Sequence, residues 1–275
     1  MKKILLFLFL GFTSFVNAQN FEGIISWKIT TVITDPKIKA QMEEAKKKMS
    51  DPATQAQMKE MKEKMNDPQM KAMMEANPQM KAQMEAVIKM AEGGGGLESM
   101  MPKGYIMKMK DQNVHTIMEG GGMGNMEILF LKAKVTAYKI DREAKTYSPL
   151  PKEKEEASKD PNKPEVKVTK TSETAKILGY TCVKYVAEST TKDQTMKQFF
   201  WTTEDIDFDL KGMGQQRMGQ QSLFYDQIEG VPLKIEIAMP QGNMLMEATE
   251  VKKQSLPSSE FLLPVGFKEV PFKVF

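Results

Sequence analysis

The chain has only one histidine, His115, and only one cysteine, Cys182, among its 275 residues. These two residues cannot supply a conventional zinc site. We expect His115 to be an ordinary surface or cross-strand residue rather than the base of a catalytic triad. Cys182 is predicted to be a buried small hydrophobe, and an intermolecular disulfide is the alternative.

The sequence also lacks the usual motifs of enzymes. Carboxylates are plentiful, but none stands out as a paired acid/base site. Two glycine-rich runs, at 93–96 and 120–124, lack the flanking strand, helix and lysine of a phosphate-binding loop. We therefore expect a protein with no enzymatic activity and no cofactor.

Long apolar runs are missing after the N-terminus. Residues 1–18 have a basic start at Lys2 and Lys3, a short apolar stretch and small residues ending at Ala18, which predicts a secretory signal peptide cleaved near Ala18. Its loss would lower the formal charge from +3 to +1, so basicity does not indicate nucleic-acid binding. We expect an exported, periplasmic or secreted protein without a membrane span.

Methionine, by contrast, is abundant, with 25 residues, and many of these occupy a helical repeat. Each of four units opens with an N-cap residue followed by proline: Asp35-Pro36, Asp51-Pro52, Asp67-Pro68 and Asn77-Pro78. Steps of three and four residues place the apolar side chains of each unit on one helical stripe. The stripe comprises Ile38, Met42, Ala45, Met49, Thr54, Met58, Met61, Met65, Met70, Met74, Met80, Met84, residues 87–88 and Ala91.

This repeat is clearest from Asn66 to Ala86. There it resembles the Asp-Pro helical domains of chaperone-organising proteins and ubiquilins. That resemblance implies an apolar groove for exposed hydrophobic segments. The alternative is a small bundle whose methionine stripes bury one another.

Outside the repeat the apolar residues alternate with polar ones, which predicts β-strands. Expected strands cover Phe21–Ile33, Tyr105–Lys110, Val114–Glu119, Asn125–Lys132, Lys134–Ile140, Lys145–Leu150, Val166–Thr171, Thr181–Ser189, Thr195–Thr203, Val231–Met239 and Met244–Lys252. A helical turn is expected at Ile206–Leu210, and a surface loop at Lys152–Glu165. We predict an α+β fold with a large, curved, mostly antiparallel sheet and a Met-rich helical insertion after the first strand.

The strand sequences also resemble a known family. The stretches are FEGIISWKI from Phe21, TAKILGYTCVKYVAE from Thr174, FFWTTED from Phe199, GVPLKIEI from Gly230 and FLLPVGFKEV from Phe261. They resemble the secreted bacterial proteins of the domain of unknown function 4412 family, which is similar to the LolA-type lipoprotein carriers. The resemblance implies a half-barrel fold. The residue patterns divide the chain into a signal peptide at 1–18, a sheet domain at 19–34 and 97–275, and a helical insert with a glycine linker at 35–96.

These features together favour an envelope protein that binds an apolar ligand, a lipid acyl chain or a hydrophobic peptide, on its curved sheet. The methionine-rich helices would form a lid. The candidate lining residues are Trp27, Ile29, Tyr105, Met107, Phe199, Trp201, Leu233, Ile235, Met58, Met61, Met74 and Met84.

Two alternatives belong to different classes. Thioethers are soft ligands that suit Cu(I) or Ag(I), and the candidate ligands for such an ion are Met58, Met61, Met70, Met73 and Met74. In the other alternative the helices pair with another protein, and the chain has a structural or assembly role.

Overall fold

The computed structural model describes residues 20–76, 84, 88, 102–120, 126–151, 165–190, 195–211, 213, 224 and 226–272. The predicted signal peptide, the glycine run at 93–96 and nearly all of the predicted loop at 152–165 lie outside the described residues. Within them the fold is α+β, with twelve strands in one large, curved, unclosed sheet and three helices. The predicted fold class is confirmed.

The helices follow the first strand, β1, which covers Gly23–Ile33. They are α1 (Pro36–Ser50), α2 (Pro52–Met65) and α3 (Pro68–Ala76). Asp35, Asp51 and Asp67 precede them, and the Oδ1 atom of each accepts a bond from the backbone N–H two residues later, at 2.7, 2.7 and 2.8 Å. The Asp-Pro pairs therefore start helices as predicted.

The predicted stripe is visible in the burial of these helices. From residue 36 to residue 74, every side chain outside the stripe is exposed. Within the stripe only Ala45 is exposed, and the others are half-buried, except that Met74 is buried. The apolar side chains of the stripe are therefore only partly removed from solvent, whereas the other faces of the helices are exposed.

Eleven further strands complete the sheet. They are β2 (Gly104–Lys110), β3 (Asn113–Glu119), β4 (Met126–Leu131), β5 (Thr136–Asp141), β6 (Thr146–Pro149), β7 (Glu165–Ile177), β8 (Tyr180–Thr190), β9 (Thr195–Thr203), β10 (Val231–Met239), β11 (Gly242–Lys253) and β12 (Lys268–Glu269). Their order in the sheet is β12-β6-β5-β4-β3-β2-β1-β11-β10-β9-β8-β7. Every pairing is antiparallel except that of β12 with β6.

The helical insertion leaves and re-enters the sheet at one end. β1 and β2 are antiparallel neighbours near the middle of the sheet, with Trp27 opposite Tyr105. The helices follow the C-terminal end of β1 and precede the N-terminal end of β2, and these two strand ends are adjacent. The insertion therefore starts and finishes at a central position of the sheet.

The two faces of the sheet carry separate apolar clusters. We define the inner face as the face of Ile25 and Phe200. On it the main core is covered by six apolar side chains, those of Ile206, Phe208, Leu210, Met213, Phe224 and Ile228. On the opposite, outer face, a smaller cluster around Leu129 is covered by the chain that follows β11. The same chain segment is held by Glu22, whose carboxylate accepts bonds from Lys110 and from the backbone N–H of Leu256.

Two expectations about individual segments were wrong, one for a helical turn and one for the end of a strand. No helical turn forms at Ile206–Leu210; this segment has no regular structure, and Ile206, Phe208 and Leu210 are buried while Asp207 and Asp209 are exposed. This alternation has a period of two, which suits an extended chain lying on the core. β7 also continues to Ile177, past an irregularity between Lys170 and Thr174.

Candidate functional site

Six of the eight predicted lining residues on the sheet face the inner core. Trp27 and Tyr105 stack with ring centroids 5.2 Å apart, and both are buried. Met107 is buried too, and Leu233 and Ile235 have no exposed surface. Only Ile29 is half-buried. These residues form a closely packed surface, which we call the floor, and Ile29 is the one of them that stays partly exposed to solvent.

The other two predicted lining residues, Phe199 and Trp201, lie on the outer face, because they flank the inward-facing Phe200 in β9. The Lys184 ammonium lies over both rings, at 5.1 and 5.5 Å from their centroids. The structure therefore does not bring all eight residues to one surface.

Five methionines lie toward one end of the inner face. We call Met118, Met126, Met196, Met239 and Met244 the methionine rim. All five are half-buried and pack against the main core. They lie on β3, β4, β9, β10 and β11, at the end of the sheet from which the helices leave. Met118 and Met126 are directly opposite each other.

Two buried polar atoms lie beside the methionine rim. Thr31 is opposite Met244, which is opposite Ile237, which is opposite Gln198, so these four residues form one row across the sheet. The hydroxyl oxygen of Thr31 and the amide oxygen of Gln198 are buried, and in the described structure neither has a hydrogen-bond partner. Trp27 Nε1 is a third such atom on this face.

The predicted helical candidates are covered to different degrees. Met58, Met61, Met70 and Met84 are half-buried, and Met74 is buried. Met73 is 53% exposed. The described residues hold no group of three or more His, Cys, Asp and Glu side chains placed for a metal ion. The thioether copper set stays a prediction.

A polar cluster lies on the outer face, and its centre is His115. His115 is only 4% exposed, so it is not a surface residue, and of the two predicted settings the cross-strand one is observed. Its Nε2 atom lies 2.7 Å from Oε1 of Glu127. Arg142 binds both oxygens of the same carboxylate, with Nε 2.7 Å from Oε2. His115 on β3 and Arg142 in the turn after β5 thus share the buried carboxylate of Glu127 on β4.

Burial and hydrogen bonding set the protonation of this cluster. Burial lowers the pKa of His115 below its ordinary value and outweighs the opposing effect of Glu127. Burial alone would raise the pKa of Glu127, but the hydrogen bonds from Arg142 and His115 hold it below its ordinary value. Near neutral pH we therefore infer a neutral imidazole beside an ionised carboxylate.

The C-terminal segment borders this cluster, and together they line a half-open cavity of about 400 Å³. Glu260, in a short 3-10 turn at Ser258–Phe261, forms an ion pair with Lys108. Ile117, Ile140, Leu262 and Pro264 supply the apolar part of the wall. The sequence alone gave no indication of this cavity, because Glu260 lies 145 residues after His115 in the numbering. The pairing of His115 with Glu127, across one hairpin, was the only signal that could have been found.

The predicted burial of Cys182 is confirmed. It has no exposed surface and packs in the main core. Burial raises the pKa of its thiol to about 11. A thiol in this position is not placed to form a bond with another chain.

Comparisons with known proteins add the following. A sequence model of the family described as "Domain of unknown function (DUF4412)" matches residues 87–267. The crystal structure of LprF from Mycobacterium bovis is similar over 62% of this chain and 84% of that chain, with 11% identity and a TM-score of 0.27, too low to carry an argument. No curated protein matches. Among the described residues, no helix has the length and apolar character needed to cross a membrane.

Proposed function

The chain belongs to the DUF4412 family, whose description states no activity, and we propose that it is a non-enzymatic envelope protein that holds an apolar ligand at the methionine rim. The observation that carries the proposal is the position of five half-buried methionines at one end of the inner face. The ligand class is a lipid acyl chain, with a hydrophobic peptide as the alternative.

Methionine suits this role physically. Its thioether side chain is flexible and polarizable, so it packs against ligands of varied shape. Deeper in the sheet, Leu233 and Ile235 are already fully packed and leave no room. The ligand would therefore lie on the rim and on Ile29, with Trp27 and Tyr105 as the floor beneath it.

In this proposal residues 19–34 and 97–275 form the binding domain, and the helical insert at 35–96 is the lid. The start of α1 is fixed to the rim end of the sheet, since the backbone N–H groups of Thr34 and Asp35 both donate to the carbonyl oxygen of Gln241. Gln241 lies in the turn between β10 and β11, between Met239 and Met244. The methionine stripe thus begins close to the rim.

The unpartnered atoms of Thr31 and Gln198 support a ligand that is not purely hydrocarbon. A buried polar atom without a partner costs about 1–3 kcal/mol. A hydroxyl or amide N–H group of a lipid could donate to the Gln198 oxygen, and an ester or amide carbonyl could accept from the Thr31 hydroxyl. This favours a lipid with polar groups at the head of its acyl chain.

Native mass spectrometry of the protein purified from an envelope fraction tests the proposal. We expect extra mass that extracts into organic solvent. A Met118→Lys/Met196→Lys variant should lose that mass, because it places two charges on the rim. Met73→Lys, at an exposed helical position, is the matched control and should keep it. A clean apo mass for the unmodified protein would contradict the proposal.

Cu(I) binding is the second candidate, and the direct opposition of Met118 and Met126 is the observation that favours it. Addition of Cu(I) to the apo protein under reducing conditions separates the two candidates. Stoichiometric uptake in competition with a weak chelator would support copper binding, and no uptake would exclude the copper candidate.

The third candidate is an assembly role in which the helices bind another protein. A monomer that captures no partner protein would count against this role.

A further inference from the structure

The cavity on the outer face, around His115, is separate from the methionine rim, and the proposed function does not use it. It lies under the C-terminal segment, on the other side of the sheet. A ligand in this cavity would therefore bind independently of the ligand of the rim.

The cavity contains a buried hydrogen-bond acceptor without a partner. An ionised carboxylate can only accept, so His115 must donate its Nε2–H to Glu127. Nδ1 is then an acceptor. It is buried and has no hydrogen-bond partner in the described part of the chain, and His115 lines the cavity. Oε2 of Glu260 lies 3.9 Å from Nδ1, but this oxygen is another acceptor and already binds the Lys108 ammonium. Nδ1 is thus the acceptor for which an O–H or N–H group of a ligand would supply the missing donor.

The cavity also offers donors and apolar contact. Arg142 is 58% exposed and uses only Nε and Nη2 for Glu127. Its remaining N–H groups are free of that carboxylate and can donate to a ligand. Ile117 and Leu262 contribute apolar surface. A fitting ligand therefore combines several hydroxyl groups, which both donate and accept, with apolar C–H faces.

The charges at the site balance in pairs. Arg142 is neutralised by Glu127, and Lys108 by Glu260. A site without net charge does not favour a phosphate or another strongly charged ligand. From the buried acceptor, the mixed wall and this balance, we propose that the cavity binds a neutral monosaccharide unit. Its volume of about 400 Å³ falls in the range of about 300–1,000 Å³ typical of small-molecule sites.

His115 gives a direct reading of binding, because it is the only histidine. We would record the imidazole nitrogen and carbon-bound proton signals by NMR at pH 7.5 while titrating D-glucose, D-galactose, D-mannose and N-acetyl-D-glucosamine separately. The expected result is a saturable shift of the Nδ1 signal with at least one of these sugars. If none of the four gives a saturable shift, the proposal is overturned.

Two exposed substitutions locate the binding. Leu262 is 63% exposed and lines the cavity, whereas Val265 is fully exposed and does not line it. Leu262→Arg should weaken binding by about tenfold or more, a change of about 1.4 kcal/mol, because the longer side chain obstructs the cavity. Val265→Arg adds the same charge and size and should leave the affinity unchanged. Equal affinities in the two variants would place the sugar elsewhere and overturn the proposal.

Discussion

The imidazole of His115 and the carboxylate of Glu127 meet across β3 and β4, with Nε2 2.7 Å from Oε1. The ionised carboxylate fixes the tautomer of the neutral imidazole. It accepts a hydrogen bond from Nε2–H, so the ring proton is on Nε2 and Nδ1 has none. Both side chains are nearly enclosed, at 6% and 10% exposure. This contact therefore links the protonation of one side chain to the stability of the outer face.

The first prediction is a loss of stability below neutral pH. The pKa of His115 is lower in the folded protein than the ordinary 6.5. Between these two values the unfolded chain binds more protons than the folded chain, so the free energy of unfolding falls as pH falls below about 6.5. The fall is at most about 1.4 kcal/mol per pH unit. Urea denaturation at pH 7.5 and pH 5.5 measures this.

A His115→Gln variant is the control, and its stability should change less over that interval. Glu127 does not mimic the effect, because its pKa lies below the ordinary 4.5 in the folded protein and its contribution is lost only at lower pH. Lys108 and Glu260, which also face the imidazole, have opposite charges and form an ion pair. Equal stability of the unmodified protein at both pH values would contradict the prediction.

The second prediction concerns removal of the shared carboxylate. Glu127→Ala leaves His115 without its partner and removes both bonds from Arg142. We expect a loss of about 2 kcal/mol in the free energy of unfolding, since Arg142 is exposed enough to bind water instead. Glu247→Ala, at an exposed position of β11, should change it by less than about 0.5 kcal/mol. Chemical denaturation of both variants tests the difference; equal losses would show that the cluster contributes no stability of its own.

Features that depend only on residues close together in the chain could be predicted from the sequence. Asp35, Asp51 and Asp67 cap helices because the N-cap and proline chemistry acts within three residues. The turn between β2 and β3 is local in the same way, and its residues Asp111 and Gln112 both have positive φ. Strict alternation likewise predicted the inward face of β1.

Features that depend on distant pairing were not predictable in the same way. Glu260 reaches Lys108 only because the chain after β11 crosses the outer face, and nothing local specifies that path. The face of the sheet on which Phe199 lies was not predictable for a related reason. Three successive aromatic residues in β9 do not reveal by themselves which one faces the core; the register with Ile235 of β10 decides it.

The third prediction uses two glycines with positive φ. Gly230 has φ +77°, and a Cβ atom there would lie 2.3 Å from the carbonyl oxygen of Thr203. Gly179 has φ +86°, but a Cβ atom there would meet nothing within 4 Å. Gly179→Ala should cost about 1 kcal/mol for its backbone conformation. Gly230→Ala should cost clearly more, about 2–4 kcal/mol, because the backbone must also move. Similar thermal shifts for the two variants would show that the carbonyl contact is easily relieved.

The fourth prediction compares the two faces of β9. Phe200 has no exposed surface and packs against Phe224, with ring centroids 5.7 Å apart. Removal of its ring leaves a cavity in the main core, so Phe200→Ala should cost about 3–5 kcal/mol. Phe199 is half-buried on the outer face, where Lys184 covers it. Phe199→Ala should cost about 1 kcal/mol, since solvent can fill the space.

Urea denaturation of both phenylalanine variants measures these costs, and the comparison also tests which face of β9 packs against the core. The two substitutions remove the same ring from adjacent positions, so differences in strand propensity cancel. A larger loss for Phe199→Ala would mean that β9 is paired one residue out of the observed register. That shift would turn the inward side chains of β9 outward and would move Gln198 and Met196 away from the methionine rim. The same pair of variants therefore tests the geometry on which the proposed ligand site rests.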